Sequence, residues 1–139
     1  REKRLGRLYC DHLAAVAAGG CLYVVAHCDS TDDTQMGAGS AVLSWRLRPE
    51  TGSCEELPSA TTERSHFAVA ALSGMIYVVG GESARSPGIL ATVERFDPSQ
   101  GTWEVLPSMP TACSGAVAVA RRGRLCVMGG ACDDVYGDG

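Results

Sequence analysis

Histidine, cysteine, serine and paired carboxylates are the groups in this chain with which metal or nucleophilic chemistry could be done, and their spacing decides against most of it. His12, His27 and His66 are the three histidines, and no two of them stand at a short metal-ligand spacing. His27 and Cys28 are neighbours that could touch one ion, but they stand where a repeated glycine pair has degraded. The seven cysteines, Cys10, Cys21, Cys28, Cys54, Cys113, Cys126 and Cys132, are odd in number and include no Cys-x-x-Cys pair. Neither a zinc site nor a disulfide framework has spacing support, so they read as reduced, buried or incidental thiols. A serine nucleophile needs a strained Gly-x-Ser-x-Gly elbow with a base beside it. The stretch "GAGSA", Gly37 to Ala41, does not supply one. The acidic pairs Asp32-Asp33 and Asp133-Asp134 read as solvated loop carboxylates. The expectation is a chain with no catalytic residues, no cofactor and no bound metal.

The bulk properties narrow the class. At 139 residues, 45% hydrophobic and 20% charged, the chain is one ordinary globular length with a modest core. A net charge of -4 argues against an electrostatic grip on nucleic acid or anionic membrane. The one basic cluster, "REKRLGR" at the N-terminus, reads as a solvated strand edge. No apolar stretch approaches the roughly 20 residues of a membrane span, and no signal-peptide core is present. The missing initiator methionine and the turn-like ending "DDVYGDG" read as a piece of a longer protein.

What must position any site is a repeat. "MIYVVGG", ending on Gly80-Gly81, returns as "RLCVMGG", ending on Gly129-Gly130, at a shift of 49 residues, and as the degraded "CLYVVAH" at a shift of 54. The longer shift also sets His12 on His66 and Ala26-His27 on the glycine pair. The second half repeats as well, with "SWRLRPETGSCEELPS" aligning on "ERFDPSQGTWEVLPS". The first copy is five residues longer between Cys28 and Ser44, as suits a lengthened surface loop. Each copy reads as four short strands, which in the central copy are "HFAVAAL", "MIYVVG", "TVERFD" and "TWEVLP". The second strand is apolar without alternation, so both of its faces are expected to be buried. Four-stranded units stacked around an axis bury inner strands in that way, giving an all-β propeller. The glycine pair is expected where backbones approach without room for a Cβ.

The apolar strand ending in Gly-Gly, the "VERFDP" third strand and Trp103 resemble the kelch repeat, with Phe96 at the family's tyrosine position. The resemblance implies an incomplete kelch β-propeller of about two blades with parts of two others. Residues 1–11 would end a preceding blade and supply an entry strand, 12–60 form a degenerate repeat, 61–110 a full one and 111–139 a truncated one. Gly80, Gly81, Gly129, Gly130, Glu94 and Trp103 are expected to be structural, and Glu94 and Arg95 to form inter-strand or inter-blade pairs.

The resemblance also implies protein recognition. In kelch proteins that bind peptides, an arginine 16 residues before the glycine pair often faces the pocket at the channel mouth, and Arg64 stands there. With Ser65, His66, Glu82 and Arg85 it is expected to bind an acidic or phosphorylated peptide through its guanidinium fork. The other expectation for Arg64 is a pair with a neighbouring blade's carboxylate. Many kelch propellers follow BTB domains that dock substrates onto a cullin-3 ubiquitin ligase, which implies a substrate receptor in the cytoplasm or nucleus. An actin-associated scaffold is the alternative, and a kelch-propeller oxidase ranks third.

Overall fold

The computed structural model describes residues 8–30, 40–84 and 88–132, and these form antiparallel β-structure with no helix. The first sheet contains β1 (Leu8–Ala18), β2 (Cys21–Ser30), β3 (Ala41–Arg48) and β4 (Ser53–Leu57), in that spatial order. The second contains β5 (Ala68–Leu72), β6 (Met75–Val79), β7 (Val93–Asp97) and β8 (Thr102–Leu106), again in chain order. A third unit has β9 (Cys113–Ser114), β10 (Val117–Arg121), β11 (Arg124–Met128) and β12 (Ala131–Cys132), with β10 paired to β11 and β9 to β12. These are two propeller blades and part of a third. The lengthened loop and both acidic pairs lie outside the described residues.

Local sequence explains the hairpins. Gly19-Gly20, Ser73-Gly74 and Arg122-Gly123 join the first two long strands of each unit, and all six residues have positive φ. Two consecutive left-handed residues match the right-handed twist of the flanking strands. The β3–β4 and β7–β8 turns are longer, each with one left-handed glycine, and Gly52 N–H donates to Arg48 O (2.9 Å) and Gly101 N–H to Asp97 O (2.8 Å). Arg46 pairs with Glu55 across one, and Arg95 with Glu104 across the other.

Strand β6 is buried on both faces, and the alternation of its side chains decides which blade each one meets. Val78 clusters with Val25, Val42 and Phe67, and Ile76 with Tyr23 and Phe96, all between the first two blades. Val79 clusters with Ala68, Ala70 and Val93 against Ala118 of the third unit. Burying each Val, Ile or Phe in this way contributes about 1.5–3 kcal/mol. Trp103 stacks on Phe96 at 5.3 Å, and its indole N–H donates to Pro58 O at 2.7 Å, so an outer strand of one blade is fastened to the end of the other.

The glycine pair sits at two close approaches. A Cβ on Gly80 would lie 2.4 Å from the carbonyl oxygen of Cys113 in the next unit, and one on Gly81 would lie 2.4 Å from Ser65 O. Gly130 meets Ser114 O at the same distance, whereas Gly129 has positive φ and open space among the described residues. The first blade lacks the glycine break, and β1 and β2 stay paired as far as Leu8 and Ser30, with a bulge at Asp11.

Gly80→Ala is expected to cost about 3–5 kcal/mol, because a left-handed backbone and a backbone overlap coincide there. Gly101→Ala, at φ 67 with nothing within 4 Å, should cost only about 1 kcal/mol. Denaturant midpoints of the two variants check the contrast.

Candidate functional site

The lead-in to β5 and the end of β6 lie side by side at one end of the blades. Ser65 and Glu82 exchange backbone hydrogen bonds of 2.9 and 2.8 Å. His66, at φ 53, turns its exposed ring beside His12 of the first blade, 5.7 Å between centroids. His12 in turn donates from Nε2 to Phe67 O at 3.0 Å. The Glu82 carboxylate accepts a hydrogen bond from the Ser114 hydroxyl of the third unit. Three units thus meet around Ser65, His66 and Glu82. Arg85 lies outside the described residues.

Arg64 does not join them. Its side chain is fully buried and paired at 3.0 Å with the equally buried Glu94. The guanidinium also donates to Gly80 O and Thr92 O, both at 2.9 Å. Glu94 in turn accepts from the backbone N–H of Thr61 at 2.8 Å and from its hydroxyl. Burial pushes the Arg64 guanidinium below its ordinary range, and the Glu94 charge opposes that shift. The fork expected to grip an acidic peptide is therefore spent inside its own blade, on Glu94 rather than on a neighbouring blade's carboxylate. Residue spacing placed Arg64 at the rim, but it could not show which way the side chain turns.

A second cluster, missed in the residue spacing, lies between the first two blades. His27 is buried, with Nδ1 2.6 Å from Asp11 Oδ1 and Nε2 3.2 Å from Glu63 Oε1. Asp29 stands 4.0 Å from Nε2. A neutral imidazole has one N–H, so donating to both carboxylates requires the doubly protonated ring. Burial alone would lower the His27 pKa, but the hydrogen bonds to Asp11 and Glu63 outweigh it and the value is raised. The bond to His27 lowers Asp11. Glu63 is raised by burial but lowered on balance by hydrogen bonds from Ser83, Ser40 and His27. Donor atoms of Asp11, His27 and Asp29 all lie within 4.8 Å of one another. Beside them a cleft of about 450 Å³ is lined by Ser40, Thr61, Thr62, Glu63 and Ser83. The signal for this cluster was His27 itself, a titratable residue standing where the repeat has glycine.

The cysteines also differ from the expectation of incidental reduced thiols. Cys10 and Cys28 form a disulfide across β1 and β2, and Cys113 and Cys132 face each other across β9 and β12 with sulfurs 3.0 Å apart.

Residues 63–110 match the family described as Kelch motif. Over 89 residues the chain is 36% identical to the human Kelch repeat and BTB domain-containing protein 13. Together these matches support a kelch-repeat assignment, centred on residues 63–110. The alignment covers 62% of this chain and 18% of that relative. The solved structure of YjhT superposes with a TM-score of 0.62 at 19% identity, over 84% of this chain and 33% of that one, and shares its fold. Kelch repeats make the chain a protein-interaction module, and the kelch rim described here carries carboxylates and imidazoles.

Two outcomes follow from the buried groups. Arg64→Ala should cost about 3–5 kcal/mol by stranding the Glu94 charge, so thermal melts should drop sharply rather than stay level. The His27 imidazolium stabilises fully below the ordinary value of 6.5, and that contribution is lost as pH rises through the raised folded value. Asp11 and Glu63, both lowered, contribute above their ordinary values of 3.8 and 4.5 and lose that contribution as pH falls. Stability should therefore decline from pH 6 toward 8 in denaturant titrations, and His27→Gln should flatten that decline.

Proposed function

We propose that this segment is the substrate-recognition part of a larger cullin-3 ubiquitin ligase adaptor, acting in the cytoplasm or nucleus. On this reading a BTB domain outside this chain binds cullin-3. The resemblance to a BTB-kelch protein supports the adaptor role, and the segment spans under a fifth of that relative's length. The observation that carries the recognition role is the convergence of three units on Ser65, His66 and Glu82, which builds one composite face.

The charge of that face sets the partner's chemistry. Glu82 and Asp29 are exposed, Glu63 borders the cleft, and among the described residues Arg64 is withdrawn into the core. On this reading the partner is a protein segment presenting lysine or arginine, because the Arg64 fork on which an acidic peptide would depend is paired inside the blade. Exposed charges of this kind act mainly on the rate of encounter and on salt dependence.

In the full-length protein, the double variant Asp29→Lys, Glu82→Lys should weaken binding of co-purifying substrates about tenfold, while cullin-3 stays bound. Affinity purification with quantitative mass spectrometry reads both at once. A substrate set unchanged by charge reversal would reject this face, and absence of cullin-3 from the wild-type purification would reject the adaptor role.

A further inference from the structure

We propose that Cys113 and Cys132 are a disulfide-forming pair, an oxidation site that ties the lead-in strand of the third unit to the segment after β11. The two residues are directly opposite in the antiparallel β9–β12 ladder, and their sulfurs are 3.0 Å apart. Cys113 is half-buried and Cys132 exposed, so a small oxidant reaches the pair from solvent. The first blade supplies a second, independent observation. Cys10 and Cys113 both fall on Arg64 under the repeat shifts, and Cys10 is already bonded to Cys28 across the equivalent strands. Two of three units thus bring a cysteine pair to the place where the central blade has its buried arginine.

The oxidant that completes the chemistry is a small-molecule disulfide such as oxidised glutathione. The Cys132 thiolate attacks one of its sulfurs, releasing one glutathione thiol and leaving a mixed disulfide on Cys132. Cys113 then gives up its proton and displaces the second glutathione. Two protein thiols are oxidised, and one glutathione disulfide is reduced to two thiols. The order follows from the pair itself. The Cys113 thiol is pushed up to about 11 by its hydrogen bond with Cys132 and by burial, so it is the poorer first nucleophile and the well-placed second one.

Oxidation would be felt at the recognition face. Cys113 O accepts the Gly81 N–H at 2.8 Å, Cys113 N–H donates to Leu90 O at 3.2 Å, and the next residue, Ser114, holds the Glu82 carboxylate. A bond at Cys113 therefore stiffens the backbone that carries one side of the rim.

The test equilibrates the full-length protein in glutathione buffers from reducing to oxidising, traps free thiols by alkylation and maps the peptides by mass. A Cys113–Cys132 cross-linked peptide that appears on oxidation and is removed by dithiothreitol is expected. The melting midpoint should rise by about 5 °C, as loop closure restricts the unfolded chain, and Cys132→Ser should abolish the cross-link and shrink the rise. Wild-type mapping stands by itself if the serine variant folds poorly. Cys113 and Cys132 both alkylated as free thiols in the most oxidising buffer, or either one joined to a different cysteine, would overturn the proposal.

Discussion

The buried pair of Arg64 and Glu94 holds the central blade together at the end where its loops meet. Taking both charges out of water is costly, and that cost is offset to the extent that donors and acceptors find partners; of this pair's polar atoms only Arg64 Nε is left without one. Here the guanidinium reaches Glu94 and two main-chain carbonyls, and Glu94 also accepts from Thr61. One side chain therefore joins three pieces of backbone: the lead-in loop, the end of β6 at Gly80 and the start of β7. Ser65 and His66 stand at the rim because the residue before them is pinned inward. The glycine pair completes the arrangement, since a Cβ at Gly80 would meet Cys113 O of the third unit and one at Gly81 would meet Ser65 O beside Arg64.

The other two units solve the same problem with different chemistry. In the first blade, a disulfide between Cys10 and Cys28 and the imidazole of His27 between Asp11 and Glu63 take the place of the arginine and the glycines. The carboxylate of Glu63 comes from the central blade, so this fastening also crosses between blades. In the third unit, Cys113 and Cys132 stand face to face at the corresponding strands. The repeat preserves the place of the clasp more faithfully than the residues that make it. What reads in sequence as a degenerate copy is one fastening exchanged for another, and the rim around Ser65, His66 and Glu82 is built across all three.

Much of this was legible in the order of residues alone, for a reason rooted in periodicity. Hairpins such as Ser73-Gly74 demand left-handed residues at fixed places, and an apolar run such as Met75 to Val79 tolerates burial on both faces, so each copy announces four strands and their stacking. The repeated Gly-Gly likewise marked a crowded backbone before any neighbour was known. These are local demands, satisfied or broken within a few residues, and the chain states them directly.

The site was less legible because its chemistry depends on direction and register. Nothing near Arg64 tells that its side chain turns toward Glu94, 30 residues later, instead of toward solvent. The cysteine pairs have separations of 18 and 19 residues, which match no local motif, and only the pairing of antiparallel strands sets their sulfurs together. The His27 pKa is raised by carboxylates on two blades, an environment that exists only after the blades pack. Sequence by itself determined the repeat, the strands and the propeller architecture, because backbone geometry and apolar patterning act locally. Tertiary structure decided which charges face inward, which thiols meet and what the rim offers a partner, because those depend on groups brought together from distant parts of the chain.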